Sequence, residues 1–495
     1  MEMDSLNVEN NMGSVLPTLQ RSKSLITSQP ELLIVGAESD GNEKELNKFK
    51  DHKISNLQAL ANLLRANIGI IGLTLPFALK QAGLIVGTIG ILFCGALHGY
   101  SSNLLVRACE KVSKENNEIH GMAELAFLAF KRSKCKTLEG LAKIFKIMIN
   151  FTILLTLIGS ISINIIFVGR MAKELTDLYF SEYIPESTSL VHFITGTTVI
   201  LLPYAMVKSL KVLSFFSFFA NLTTAFCFVI IMQYLLRHIQ PIENLKLTCD
   251  FHGFFMFLGT AILAHFSAVI ILPLKASMKM PEDLAGFDGV LSLGTTIPMC
   301  FNTALGFFGY LAFGEEALII PSNLPPTLPY QIIKFLYAIC IFLYMGLNIY
   351  VIHSIIWPLL ASTFNRSNRT IKTLLNYFLR LAIVTVCYSI AALVPCLEQL
   401  LSLVGSMSHA TLSFVYPAII DIAVSHFFPE QTNEQVKKLT ERQEKTRKFS
   451  NHLRLVFITI VDILIITVAL VTAFAGTYTA FNDILLLISR PGGCG

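Results

Sequence analysis

The stretch "NLLRANIGIIGLTLPFALKQAG", Asn62 to Gly83, decides how this chain is read. It is apolar enough to lie in a membrane, yet it carries Arg65, Asn67, Gly69, Gly72 and Pro76. Proline lacks an amide donor and disfavours helix at the residue before it, here Leu75. In lipid, backbone groups freed by a break are tolerated only where they line a cavity or meet other protein. The stretch therefore predicts an interrupted helix whose amides and carbonyls open near the middle of a bilayer.

The rest of the chain supplies the membrane context. Of its 495 residues, 53% are hydrophobic and 14% charged, and the mean hydropathy is +0.62. A soluble protein carries closer to a quarter charged residues. A crossing helix needs roughly 20 mostly apolar residues. Eleven segments qualify, near 54–80, 84–106, 143–169, 189–206, 212–235, 252–274, 287–312, 330–360, 374–395, 399–424 and 454–476. With the N-terminus inside, about 30 of the 38 Lys and Arg fall on the cytoplasmic side, as the positive-inside rule requires. Residues 1–53 read as a disordered cytoplasmic segment, 54–476 as the transmembrane domain and 477–495 as a short extracytosolic tail. The first 53 residues lack the basic start and apolar core of a signal peptide.

Smaller features fit this topology. The sequons at Asn365 and Asn368 fall in a cytoplasmic loop and are expected to stay unmodified. Cys249, Cys396 and Cys494 are outward-side thiols that nothing in the sequence obliges to pair. Residues 119–130 read as a short amphipathic helix on the inner face. The basic stretch Lys437–Arg454 touches anionic lipid or is simply a solvated inner loop.

A second break lies five spans later, in "FLGTAILAHFSAVIILPLKASMKMP", Phe257 to Pro281. It holds Gly259, Thr260, His265, Ser267 and Pro273. Interrupted helices at matching places of two halves point to a transporter binding site. The first and sixth spans match if the fold is two inverted five-helix repeats plus one helix. Half-helix N-termini would then hold a carboxylate, and unwound carbonyls an ammonium. The plainer alternative is two kinked helices packed in a bundle.

Four stretches together resemble one family. "ANLLRANIGIIGLTLPFALKQAG" is similar to the first span of the amino acid/auxin permease family, and nearest to its proton-coupled amino acid transporters. "GTAILAH…ILPL…MKMP" resembles its sixth span, "YQIIKFLYAICIFLYMGLNIYV" followed by Trp357-Pro358 its eighth, and "LLSLVGSMSHATLSFVYPAIIDI" its tenth. The resemblance implies eleven transmembrane helices in an amino acid-polyamine-organocation-type fold, with a five-plus-five inverted repeat and discontinuous helices 1 and 6. It implies alternating access and proton-driven movement of small amino acids, with no cofactor beyond the coupling ion. Substrate would bind at Asn67, Ile68, Gly69, Ile71 and Gly72, at Ala264, His265, Phe266 and Ser267, and at Tyr344 and Asn348, which share a face of the eighth span at i, i+4. The chain also departs from the family. Ile71 stands at a usual glycine, Ala264-His265-Phe266-Ser267 replaces a run with Glu, and Lys275 replaces a second Glu.

Ionisable groups inside spans are costly, so each is a functional candidate. His98 is the first proton candidate, since the relatives carry a histidine in that span, here displaced by about two residues. His265 at the second break is the other, with an ordinary pKa near 6.5 suited to reversible protonation. His353 and His409 read as structural histidines. Arg65 either closes an inner gate by pairing with a carboxylate or snorkels to the interface. Asp462 has no partner nameable from sequence, and Asn164 either lines the site or bonds across helices. Only Ser354 offers a hydroxyl for a sodium site on the eighth span, which favours protons.

Two functional classes remain open at this point: a proton-coupled amino acid transporter, and a transporter-shaped amino acid sensor signalling through its N-terminal segment. An enzyme has no support, because no HExxH, GxSxG, phosphate-binding glycine loop or paired carboxylates in adjacent spans is present. No Cys/His cluster has metal-ligand spacing, and the basic inner loops give no case for nucleic acid beyond topology. The expected partners are amino acids and the lipid bilayer, in a plasma or a lysosomal/endosomal membrane.

Overall fold

A computed structural model describes residues 53–489 apart from 114–118, 181, 183–187, 209, 287, 364–368 and 429–440. The segment 1–52, the sequons at Asn365 and Asn368, and Cys494 lie outside the described residues. Among those described, the chain is helical with no strand; one isolated bridge joins Ile54 to Met278.

The first span opens at a capping box. The Ser55 amide donates to Gln58 Oε1 at 2.8 Å and Gln58 N donates back to Ser55 Oγ. Helix α1 (Asn56–Asn67) then stops, because Ile68 adopts extended backbone at φ −109°, ψ 96°. A 3₁₀ turn follows at Ile70–Thr74, and α2 (Leu75–Ala82) completes the crossing. The break therefore sits at Ile68–Gly69 and not beside Pro76. Pro76 lies in the first turn of α2, where its missing donor costs nothing, and Leu75 stays right-handed helical at φ −62°, ψ −32°. Gly83 ends α2 with φ 77°, and a Cβ there would lie 2.5 Å from Thr248 N, so the corner needs glycine twice over.

Then come α3 (Leu84–Ser113), α4 (Met122–Lys131), α5 (Lys136–Tyr179), α6 (Leu190–Ala205) and α7 (Leu210–Arg237). The short α4 falls where a helix is expected at residues 119–130. It packs Leu125, Ala126, Ala129 and Phe130 fully inside, against α5 and the helix after the tenth span's turn, so protein covers its apolar face. The sixth span repeats the design of the first. α8 (Phe251–Leu263) ends at Ala264, a loop of single turns runs to Ile270, and α9 (Ile271–Ser277) finishes it. The start of the first broken span and the end of the second are tied: Ile54 N donates to Ser277 O at 2.8 Å and Lys279 N to Ile54 O at 2.9 Å.

The second half continues with α10 (Val290–Phe313), a short α11 (Ile320–Asn323), α12 (Leu328–Thr363) and α13 (Arg369–Leu393). The tenth span is α14 (Leu397–Val404), two π-helical turns at Gly405–His409 and Thr411–Val415, and α15 (Tyr416–Phe427). The last helix, α16 (Glu441–Ile488), continues through most of the stretch expected as a tail. Nine of the described helices are long and apolar enough to cross a membrane. The segments at 190–205 and 251–263 are apolar but shorter, the second because the chain breaks after Leu263.

Packing sorts these helices into two groups. α1–α3 contact α8–α10, while α5 contacts α6, α12 and α13. The tenth span lies between, with α14 on α8 and α15 on α3. Between apolar helices in lipid, close backbone approach supplies the attraction. The tightest approach is Gly405 on Gly259, where a Cβ on Gly405 would lie 1.9 Å from Gly259 O.

Candidate functional site

The two breaks meet at one side chain. Asn302, fully buried in α10, donates its amide to Asn67 O and to Ala264 O, each at 3.1 Å. These are the last carbonyls of α1 and the cap carbonyl of α8, groups a helix leaves without internal partners. One amide thus caps both half-helices and fixes the spacing between them. Asn67 reinforces the joint by donating to Gly294 O at 3.2 Å. The acceptors Asn302 Oδ1 and Asn67 Oδ1 are buried with no partner. A Cβ on Gly72 would lie 2.9 Å from Asn302 Oδ1, so Gly72 leaves that acceptor open. Ile68, Ile71 and Phe266 are half-buried and packed on the main apolar cluster, so they narrow the space at the breaks.

The second break gathers three histidines. His98 on α3, His265 in the loop and His409 in a π-helical turn are all buried. His98 Nε2 lies 2.8 Å from Ser267 Oγ, and the rings of His98 and His265 are 6.0 Å apart. His265 Nδ1 lies 3.1 Å from Ala261 O. His409 Nε2 reaches the backbone oxygen of His265 at 3.1 Å and Ser413 Oγ at 3.0 Å, and its ring stacks on Phe266 at 5.0 Å. His98 Nδ1, His265 Nε2 and His409 Nδ1 have no partner. The structure brings the expected His98, His265, Phe266 and Ser267 together, and adds His409, which read as structural. The π-helical turns shift the register of the tenth span, so spacing along a regular helix hides where His409 points. His353 stays apart, stacked on Trp357 at 5.6 Å.

Tyr344 and Asn348 are neighbours on α12, and Arg65 lies beside Tyr344. No carboxylate pairs with Arg65 among the described residues. Asn348 Nδ2 and both polar atoms of Asn164 on α5 are buried without partners. Asp462 of α16 is fully buried with neither carboxylate oxygen bonded, and it lies within electrostatic reach of Asp421. Among the described residues no group of three or more His, Cys, Asp and Glu could hold a metal ion.

Two ion pairs that the sequence did not reveal lie at the other end. Arg170 and Glu174, four apart on α5, reach different helices: Arg170 Nη1 meets Glu398 of α14 at 2.5 Å, and Glu174 meets Lys334 of α12 at 3.1 Å. The Arg-x-x-x-Glu spacing was visible, but its partners stand 228 and 160 residues away.

The family model described as "Transmembrane amino acid transporter protein" matches residues 52–439. A fruit-fly protein (Drosophila melanogaster) called "Proton-coupled amino acid transporter-like protein pathetic" is 28% identical over 376 residues, covering 75% of this chain and 78% of that one. A nematode protein (Caenorhabditis elegans) called "Probable amino acid transporter skat-1" is 25% identical over 425 residues, covering 84% of this chain and 87% of its own. With both breaks, the tenth-span turns and the apolar helices inside the matched region, the chain belongs to the transmembrane amino acid transporter family.

Proposed function

We propose that this protein is a proton-coupled secondary transporter of small amino acids that works by alternating access. The observation that carries this reading is the joint at Asn302, where two interrupted helices end against one side chain. Nine long apolar helices and two shorter ones among the described residues support a reading of eleven crossings, in which the two breaks would open two five-span sets of an inverted repeat. The Lys and Arg bias favours the N-terminus inside, and the disulfide at Cys396 fits an oxidising outer face.

Substrate chemistry follows from the free groups. An ammonium brings three donors, and Asn67 Oδ1 and Asn302 Oδ1 are buried acceptors without donors. A carboxylate suits the N-terminal end of the turn beginning at Ile70. Ile71 and Phe266 restrict the room left for a side chain, which favours small substrates.

Proton coupling rests on His98 and Ser267. A neutral His98 accepts from or donates to the Ser267 hydroxyl; a protonated His98 only donates. Proton binding therefore sets the direction of a hydrogen bond at the second break, where substrate backbone contacts lie. His265 and His409 adjoin the same loop, and like charges so close disfavour a second proton.

The test is uptake of an amino acid panel into proteoliposomes, with and without an inward proton gradient, repeated with His98→Ala and His265→Ala. The gradient is expected to drive uptake, and the variants to flatten its pH dependence. Uptake indifferent to pH in the unaltered protein would overturn the coupling. Saturable amino acid binding without flux would identify a sensor instead.

A further inference from the structure

A cavity of about 720 Å³ opens on the flank of the first span, outside the joint at Asn302. It is lined by Arg65 of α1, Ile68 at the break, Phe228 and Val229 of α7, and Phe301 of α10. A second cavity of about 580 Å³, lined by Leu222, Phe226 and Leu336, shares Ala225 and Val229 with it. These two residues are four apart on one face of α7, so the two cavities adjoin along that helix as one apolar trough. Its outer wall faces lipid: Val229 is 68% exposed and Phe226 59%.

One charge stands at the inner end of this apolar trough. Arg65 is half-buried, Tyr344 lies beside it, and no carboxylate meets it among the described residues. A guanidinium at this depth without a counter-ion is costly. Guanidinium geometry matches a carboxylate with two parallel hydrogen bonds. From Asn56 to Arg65 the helix rises roughly 14 Å, which places the charge well below the headgroup layer. A phospholipid would bring a glycerol backbone and a whole headgroup to this depth, whereas a single-chain acid brings one carboxylate, which the guanidinium neutralises. The larger cavity is also within the roughly 300–1,000 Å³ that holds one small ligand.

We propose that the trough is a binding site for one long-chain fatty acid, with its carboxylate on Arg65 and its acyl chain along Ala225 and Val229 of α7. Bound there, the acyl chain braces α1 beside the break at Ile68. The site does not depend on the transport reading, and its test measures binding alone.

The test uses the full-length protein purified in a non-ionic detergent and radiolabelled oleate at equilibrium. Saturable binding of one oleate per chain is expected. Arg65→Gln should weaken it at least tenfold, and oleyl alcohol, which lacks the charge, should compete at least tenfold less well. Val229→Trp replaces a lipid-exposed residue, is expected to fold, and should fill the trough and abolish binding; Ala225→Trp should do the same. A thermal melt matching the unaltered protein confirms folding of each variant. Equal binding of oleate and oleyl alcohol, or binding unchanged in Arg65→Gln and Val229→Trp, would overturn the proposal. Displacement of oleate by millimolar amino acids would overturn it by making Arg65 an anchor for substrate. Displacement by short-chain phosphatidylserine at oleate's own potency would overturn it in favour of a lipid headgroup.

Discussion

Asn302 Nδ2 lies 3.1 Å from the carbonyl oxygen of Asn67, 235 residues earlier in the chain. The same nitrogen bonds Ala264 O, so one amide holds the ends of two half-helices together. Asn302→Ala removes both donors and leaves two buried carbonyls unpaired, at about 1–3 kcal/mol each. Asn302→Asp keeps the shape but turns a carboxylate toward two carbonyls. Both variants should lose at least tenfold in uptake and melt several degrees lower. A variant with full uptake and an unchanged melt would remove the joint from the mechanism.

Arg170 and Glu398 form a largely buried pair between α5 and α14. Removing one partner strands the other, which costs about 3–5 kcal/mol for a buried pair. Arg170→Gln and Glu398→Gln should each lower the melting temperature and uptake. The exchanged double variant Arg170→Glu with Glu398→Arg should recover part of both. A double-mutant cycle with no coupling would show the contact to be energetically silent.

Gly405 allows the tenth span to rest on the sixth, with Gly259 O only 1.9 Å from where a Cβ would sit. The obstacle is backbone, so no side chain can rotate away. Gly405→Ala should reduce the yield of folded protein sharply, and Gly405→Leu should abolish it. Size-exclusion profiles of detergent extracts read this directly, and a monodisperse peak at full yield for Gly405→Leu would contradict the packing.

Cys135 and Cys249 report on topology and titrate in opposite directions. Cys135 precedes α5, and the backbone amides of Leu138 and Thr137 facing its sulfur favour the thiolate and lower its pKa. Burial, with Asp250 close by, raises the pKa of Cys249. A lowered pKa means more thiolate at neutral pH, so Cys135 should alkylate faster than Cys249 near pH 7. The gap should narrow as pH rises past the ordinary thiol range. A membrane-impermeant maleimide should reach Cys135 from the inner face only and Cys249 from the outer. Labelling of both from one side would overturn the orientation.

The two breaks were legible before any coordinates. Gly69, Pro76, Gly259 and Pro273 punctuate apolar runs that otherwise have no reason to stop. The glycines marked the gap, which the structure places at Ile68–Gly69, while the proline marked the start of α2. His98 and His265 stood out because charge is rare in such spans. His409 did not, because π-helical turns reorient it in a way that 3.6-residue spacing does not foresee. Asn302 was one polar residue in an apolar span, and nothing local distinguishes a capping amide from a packing one.

The amino-acid order by itself determined that this chain is a many-span membrane protein, which orientation its Lys and Arg bias favours, and where two of its helices fail. Those properties depend on composition and on neighbours within a few residues: apolar runs of bilayer length, flanking Lys and Arg, and residues that cannot continue a helix. Only the tertiary structure decided what the failures are for. It set Asn302 against the ends of both half-helices, gathered His98, His265 and His409 around one loop, and left Arg65 without a carboxylate among the described residues. Each is a relation between side chains on different helices, and a hydrogen bond forms or fails over a few tenths of an ångström. That distance is fixed by packing across the bundle, which no local pattern encodes.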